Sequence, residues 1–146
     1  MAVWLARMSF PLARLLLRYQ QGPLALRMMH WCAERGHARA ASEYGHWLWF
    51  RGQGRQARAE GARFLRLAAE SGEAKAQYQW GKLLEEGDQD LFCDPVQACD
   101  WYVKAAEQGH ALAIRRIAKA YQHGELGLGQ DSFQASRWLN RLPPVF

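Results

Sequence analysis

Apolar residues recur at positions i, i+4 and i+8 in three successive stretches of the chain. Ala40, Tyr44, Gly45 and Leu48 make the first, and Ala76, Trp80, Gly81, Leu84 and Gly87 the second. Ala113, Ile117, Ala118, Tyr121 and Gly124 make the third. That spacing lays the residues along one stripe of an α-helix. A second pattern lies between these stretches, a small residue followed three and four places on by large ones. It appears as Ala25 with Met28 and Met29, and as Gly61 with Phe64 and Leu65. It returns as Ala98 with Trp101 and Tyr102, and as Ala135 with Trp138 and Leu139. The small residue leaves room for its large neighbour on the same helical face. We call the two kinds of helix A and B. Glycine inside a helix costs about 1 kcal/mol relative to alanine, so Gly45 and Gly81 imply close approach of a neighbouring helix. Ala118 obeys the same size limit.

Each B pattern closes on one phrase: Cys32-Ala33-Glu34-Arg35-Gly36, then Ala68-Ala69-Glu70-Ser71-Gly72, then Ala105-Ala106-Glu107-Gln108-Gly109. The closing glycines lie 36 and then 37 residues apart. A fixed period in this range marks stacked helical hairpins, none of which can bury its apolar face alone. The glycines are expected to end the B helices as left-handed C′ residues. His37 and His110 recur at the entry to the following A helix, which points to a structural role there. Glu34, Glu70 and Glu107 sit against the B-helix dipole but just before the free N–H groups of the next helix, and are read as joints between helices. Asp94-Pro95 and Asp131-Ser132 have the form of N-caps with first-turn residues. The pattern predicts helices over 3–20, 23–35, 38–51, 56–70, 74–86, 95–107, 111–123 and 131–140, in units of about 1–36, 37–72, 73–109 and 110–146. The first unit is degenerate. It keeps only Tyr19 and Gly22, whose spacing from Leu15 matches that of Tyr121 and Gly124 from Ile117.

On these residues the chain resembles the Sel-one-like repeat (SLR) family, relatives of the tetratricopeptide repeats. The fullest match runs from Gly72-Glu73-Ala74-Lys75-Ala76 through Trp80-Gly81, Gly87 and Asp94 to Lys104-Ala105-Ala106-Glu107-Gln108-Gly109. Gly127-Leu128-Gly129-Gln130-Asp131 resembles the family's linker; Asp90-Leu91-Phe92-Cys93-Asp94 is a weaker form without the glycine. The resemblance implies an all-α, right-handed α-solenoid whose A helices line a concave groove. It also implies a non-enzymatic adaptor that binds other proteins.

Composition narrows the class further. With 146 residues, 49% of them hydrophobic and 23% charged, the chain is suited to a packed domain rather than disorder. A net charge of +5 favours acidic or phosphate-bearing partners. Three cysteines cannot all pair within the chain, which favours a reducing, cytoplasmic setting. Residues 1–20 are apolar with Arg7, Arg14 and Arg18, but Arg14 and Pro11 break the run and no small-residue cleavage site follows. They read as a structural helix, and no stretch has the length of a membrane span.

The outward row of the A helices is the candidate partner-binding surface. It comprises Arg39, Glu43, His46 and Phe50, then Lys75, Gln79, Lys82 and Glu86, then Leu112, Arg116, Lys119 and His123. Its mainly basic character suits an acidic peptide; a solvated helix face is the plain alternative. Trp49 and Phe50 stand where the other units carry Glu85 and Glu86, or Gln122 and His123. Aromatics replacing polar residues beside cations suggest an interface hot spot, unless they pack beneath the first unit. Single-stranded RNA is the alternative ligand, but Glu43 and Glu86 interrupt the basic row and the aromatics do not recur once per unit. Cys93 and Cys99 with His110 or His123 match no compact zinc spacing. Cys32 stands where alanines stand elsewhere and reads as packing. No nucleophile elbow, phosphate loop or paired-carboxylate motif is present, and no cofactor is implied. Self-association is expected, if anywhere, through the first helix or Phe146.

Overall fold

The computed structural model describes residues 2–18 and 22–144, the side chains of residues 2–4 and 16–18 excepted. Tyr19, which carried part of the first-unit match, and Phe146 lie outside the described residues. Among the described residues eight α-helices follow one another: α1 (Ala2–Arg18), α2 (Gly22–Glu34), α3 (Ala38–Arg51), α4 (Gly54–Glu70), α5 (Ala74–Glu86), α6 (Pro95–Glu107), α7 (Ala111–His123) and α8 (Ser132–Leu139). No strand is present among the described residues. The fold class is all-α, as the two interleaved periodicities require. Four helices keep the sequence-predicted bounds: α3, α5, α6 and α7.

The chain forms two compact units, Met1–Glu73 and Ala74–Phe146. Within the first, α1 pairs with α2, α2 with α3, and α3 with α4. Within the second, α5 pairs with α6, α6 with α7, and α7 with α8. Each A helix thus packs on its own B helix, and α3 and α7 also pack on the B helix before them. In the first unit the core gathers Ala6, Phe10, Ala13, Met29, Cys32 and Ala40, with Tyr44 at its margin. Phe64 and Leu65 are fully buried between α4 and its neighbours. In the second, Ala105, Ala106, Ala113 and Ile114 form a core against which Tyr78, Trp138 and Leu142 pack.

The recurrent phrase makes one local structure three times. The amides of Gly36, Gly72 and Gly109 donate to the carbonyls of Ala33, Ala69 and Ala106, at 3.0, 3.0 and 2.9 Å. The next amides, of His37, Glu73 and His110, reach back to Cys32, Ala68 and Ala105, each at 3.1 Å. This paired bonding is a Schellman motif, and the glycines take φ of 78°, 88° and 84°, where a side chain would be strained. His37 and His110 then cap the following helix: their Nδ1 atoms accept from the amides of Ala40 (3.1 Å) and Ala113 (3.4 Å). The expected structural role at the helix entry is an N-cap.

Of the glutamates of the phrase, Glu34 is a joint between helices as expected, though with α4 rather than with the N–H groups of the next helix, and Glu70 bonds within its own helix. Glu34 accepts from Arg63 on α4 at 2.8 Å, and Glu70 from Arg66 in its own helix at 2.8 Å. His37 already caps the Ala40 amide at the start of α3, and Glu34 instead joins B helix to B helix. Gly22 also differs, opening α2 instead of closing α1.

The linkers of the second unit are equivalent despite their different sequences. The amides of Asp94 and Asp131 return to the carbonyls of Leu84 (2.7 Å) and Tyr121 (2.8 Å). Both aspartates then cap the next helix, accepting from Gln97 at 2.9 Å and Gln134 at 3.0 Å. The α3–α4 connection has no such cap. Its two residues, Gly52 and Gln53, lead into Gly54 at φ 84°, and α4 begins two residues before the predicted start. A glycine able to turn the chain sharply there replaces the capping aspartate.

Candidate partner-binding surface

In the first unit the row on α3 is partly self-neutralised. Glu43 Oε1 lies 3.7 Å from Arg39 Nε and 3.5 Å from Arg14 Nε of α1. Arg39 remains largely exposed while Glu43 is mostly covered. The His46 ring lies 4.6 Å from that of Phe50, centroid to centroid, and Phe50 is 55% exposed at the end of α3. Trp47 and Trp49 are half-buried. The Arg58 guanidinium of α4 sits 5.8 Å from the Trp49 ring centre. The aromatic pair expected from the sequence therefore divides: Phe50 faces solvent beside His46, whereas Trp49 is tucked against α4.

The reason lies in the crossing of α3 and α4. A Cβ built on Gly45 would stand 2.8 Å from the carbonyl oxygen of Gly61, and one on Gly61 would stand 2.8 Å from the amide nitrogen of Trp49. Backbone meets backbone there, which draws the residues after Gly45 onto the neighbouring helix.

In the second unit Lys75, Lys119 and His123 are exposed and Gln79 is half-buried. Lys82 pairs with Glu86 at 3.6 Å. Leu112 is exposed beside them in the sequence-predicted row.

Arg116 does not belong to the open row. Its side chain is only 18% exposed and is held by two carboxylates. Nε lies 3.1 Å from Oε2 of Glu85 on α5, and Nη1 lies 2.8 Å from Oε2 of Glu125 in the α7–α8 connection. Tyr102 of α6 donates its hydroxyl to the same Glu85 oxygen at 2.7 Å. The group clasps three helices and a linker. Hydrogen bonding to Glu85, then the attraction of both carboxylates, holds the Arg116 guanidinium above its ordinary value against the opposing effect of burial. Burial pushes the Glu85 carboxyl up, but hydrogen bonds from Arg116 and Tyr102 outweigh it and leave the group below its usual range. Burial, reinforced by Glu85, pushes the Tyr102 hydroxyl up. A long guanidinium can swing from a helix face into a neighbouring carboxylate, so periodicity alone placed it wrongly. The signal was present in the alignment of units: Trp49 and Leu65 become Glu85 and Tyr102 together.

Cys32 is fully buried, its Sγ 3.2 Å from Ser9 Oγ, in keeping with its reading as packing. Cys93 is exposed and donates to the Glu85 carbonyl at 3.0 Å, while Cys99 is buried; all three are free thiols. Among the described residues no three of His, Cys, Asp or Glu gather as a metal ion would need. Among them, too, no helix is long and apolar enough to cross a membrane.

These hairpins, closed by a repeated Schellman motif and linked by a capping aspartate, define a helical-repeat protein. The Sel1 repeat model matches residues 38–73, 74–110 and 111–142, so the chain belongs to the Sel1 repeat family. It is similar to a Sel1 repeat protein from Oxalobacter formigenes, with a TM-score of 0.81 at 20% identity over 96% of this chain. It is also similar to a protective antigen of uropathogenic Escherichia coli strains with an SLR fold, with a TM-score of 0.80 at 30% identity over 92% of this chain. The chain spans 57% and 29% of those two chains, respectively. No curated protein sequence matches it significantly.

Proposed function

We propose that the chain is a non-enzymatic scaffold whose A-helix faces hold a segment of another protein, in a cytoplasmic setting. The observation that carries this reading is Phe50, a large aromatic left 55% exposed in a Sel1 repeat, with the His46 ring beside it. Aromatic residues, phenylalanine among them, are enriched at the cores of protein interfaces. Arg39 on the same helix supplies a cation for an acidic segment. On the second unit, taken by itself, Lys75 and Lys119 are exposed cations of the row. The free thiols support the reducing compartment. Acidic peptides are the class of ligand that this charge attracts.

The test is capture of partners from a lysate by wild type, Phe50→Ala and a Lys75→Gln/Lys119→Gln variant. A protein retained by wild type and lost with Phe50→Ala, while helical circular dichroism is unchanged, supports the reading. Equal capture by all three removes these residues from the contact surface.

A further inference from the structure

The outer side of α1 is apolar where a surface helix should be polar. Ala6, Phe10 and Ala13 are buried against the fold. On the far side, Leu5, Met8, Leu12 and Leu15 are all about half exposed or more, with Met8 at 61%. At 3.6 residues per turn these four fall within an arc of about 80°. Leu24 of α2 is exposed too, and a shallow pocket lined by Ser9, Leu24, Arg27, Met28 and Trp31 lies between the helices. A helix apolar on both faces is one that something covers. Cations lie around this surface: Arg7 and Arg27 are exposed, and Arg14, half exposed, is shared with Glu43. The first 33 residues contain four arginines and no Asp or Glu.

We propose that α1 and the start of α2 lie against an anionic lipid surface, with the leucine–methionine stripe in the interface and the arginines at the headgroups. Two copies meeting on this face would bring arginines nearer to arginines, which disfavours self-pairing. An anionic surface satisfies them. The described part of the stripe, Leu5, Met8, Leu12 and Leu15, is aliphatic and stands on the outward side of the helix. Such a surface suits lipid better than a specific protein contact, where leucine is under-represented among hot spots. This is attachment along a surface; it requires no spanning segment.

The experiment is co-sedimentation with vesicles of phosphatidylcholine alone and of phosphatidylcholine with an equal part of phosphatidylglycerol. Wild type should sediment with the second and not the first, and high salt should release it. Met8→Glu/Leu12→Glu should lower partitioning at least tenfold, with helical circular dichroism unchanged because both sites are exposed. Arg7→Gln/Arg27→Gln should lower it about tenfold or more on the anionic vesicles. Phe50→Ala should bind vesicles as wild type does, which separates this surface from the one on α3. Sedimentation with neither vesicle, or undiminished binding by Met8→Glu/Leu12→Glu, overturns the proposal. So does loss of a captured protein, instead of vesicles, on that double substitution.

Discussion

The two units solve one packing problem with different chemistry. In Met1–Glu73, α3 and α4 cross with Gly45 against Gly61, and the register positions beyond the crossing carry Trp49 and Leu65. In Ala74–Phe146, α5 and α6 cross with Gly81 against Ala98 and the Tyr102 ring, and the same positions carry Glu85 and Tyr102. A buried tyrosine hydroxyl needs a partner, and Glu85 supplies it; a leucine needs none, and the facing position can be tryptophan. Position 49 is therefore spared the polar partner that Tyr102 demands of position 85, and its half-buried tryptophan has Arg58 of α4 beside its ring. Phe50, one residue on, is the more exposed of the two. Aromatic character at adjacent positions has two separate causes.

The largest effect should come from the crossings themselves. A Cβ on Gly61 meets backbone atoms at 2.8 and 2.9 Å, which rigid helices cannot relieve. Gly61→Leu should cost about 3 kcal/mol or more in urea unfolding. Gly81→Leu meets a ring edge at 3.1 Å and should cost about 1–3 kcal/mol. Equal losses would mean that the Gly45–Gly61 contact is no tighter than its counterpart. Next comes the clasp. Glu85→Gln leaves Arg116 partly buried with Glu125 alone, and should cost about 1–2 kcal/mol once solvent screening is allowed for. Tyr102→Phe should cost about 1 kcal/mol.

Acid should separate the units. Burial lowers the His37 imidazole below its ordinary 6.5, with Arg7 and Arg39 adding to the shift and Glu43 opposing it. Its neutral form is therefore the one that the fold favours. Stability from His37 is full above pH 6.5 and is lost as pH falls through the lower folded value. Glu85 is also depressed, so its contribution is full above its ordinary 4.5 and is lost only below that. Urea midpoints between pH 7 and pH 3 should fall in two stages, the first absent in His37→Asn and the second diminished in Glu85→Gln, with Glu34, held below its ordinary range by the Arg63 hydrogen bond, accounting for part of what remains. A single stage would remove the distinction. The smallest effect is Phe50→Ala, within about 0.5 kcal/mol in unfolding, whereas Trp49→Ala should lose measurably more. If Trp49→Ala is equally silent, the two aromatics belong to one surface after all.

Much of this was legible from the chain. The phrase ending in Gly36, Gly72 and Gly109 marks three helix ends because only glycine takes that backbone cheaply. Asp94 and Asp131 mark two helix starts because a carboxylate two or three residues before free amides is a local arrangement. Gly45 and Gly81 announced close helix crossings because nothing else excuses glycine within a helix. The side-chain surface was less legible. Arg116 had the periodicity of the outward row, and its capture by Glu85 joins residues 31 apart in sequence. Trp49 read either as an interface residue or as packing, and its half-buried place beside α4 depends on two glycines that face each other only when folded.

The order of helices, their ends and their repeat period were determined by the sequence itself, because hydrogen bonds of capping and turning span only a few residues. Which charges stay open and which are consumed was decided by tertiary packing. Long side chains choose among partners that only the assembled hairpins bring within reach. Trp49, Arg116 and Glu34 took their roles from neighbours one or two helices away, and Phe50 kept its exposure at the end of α3.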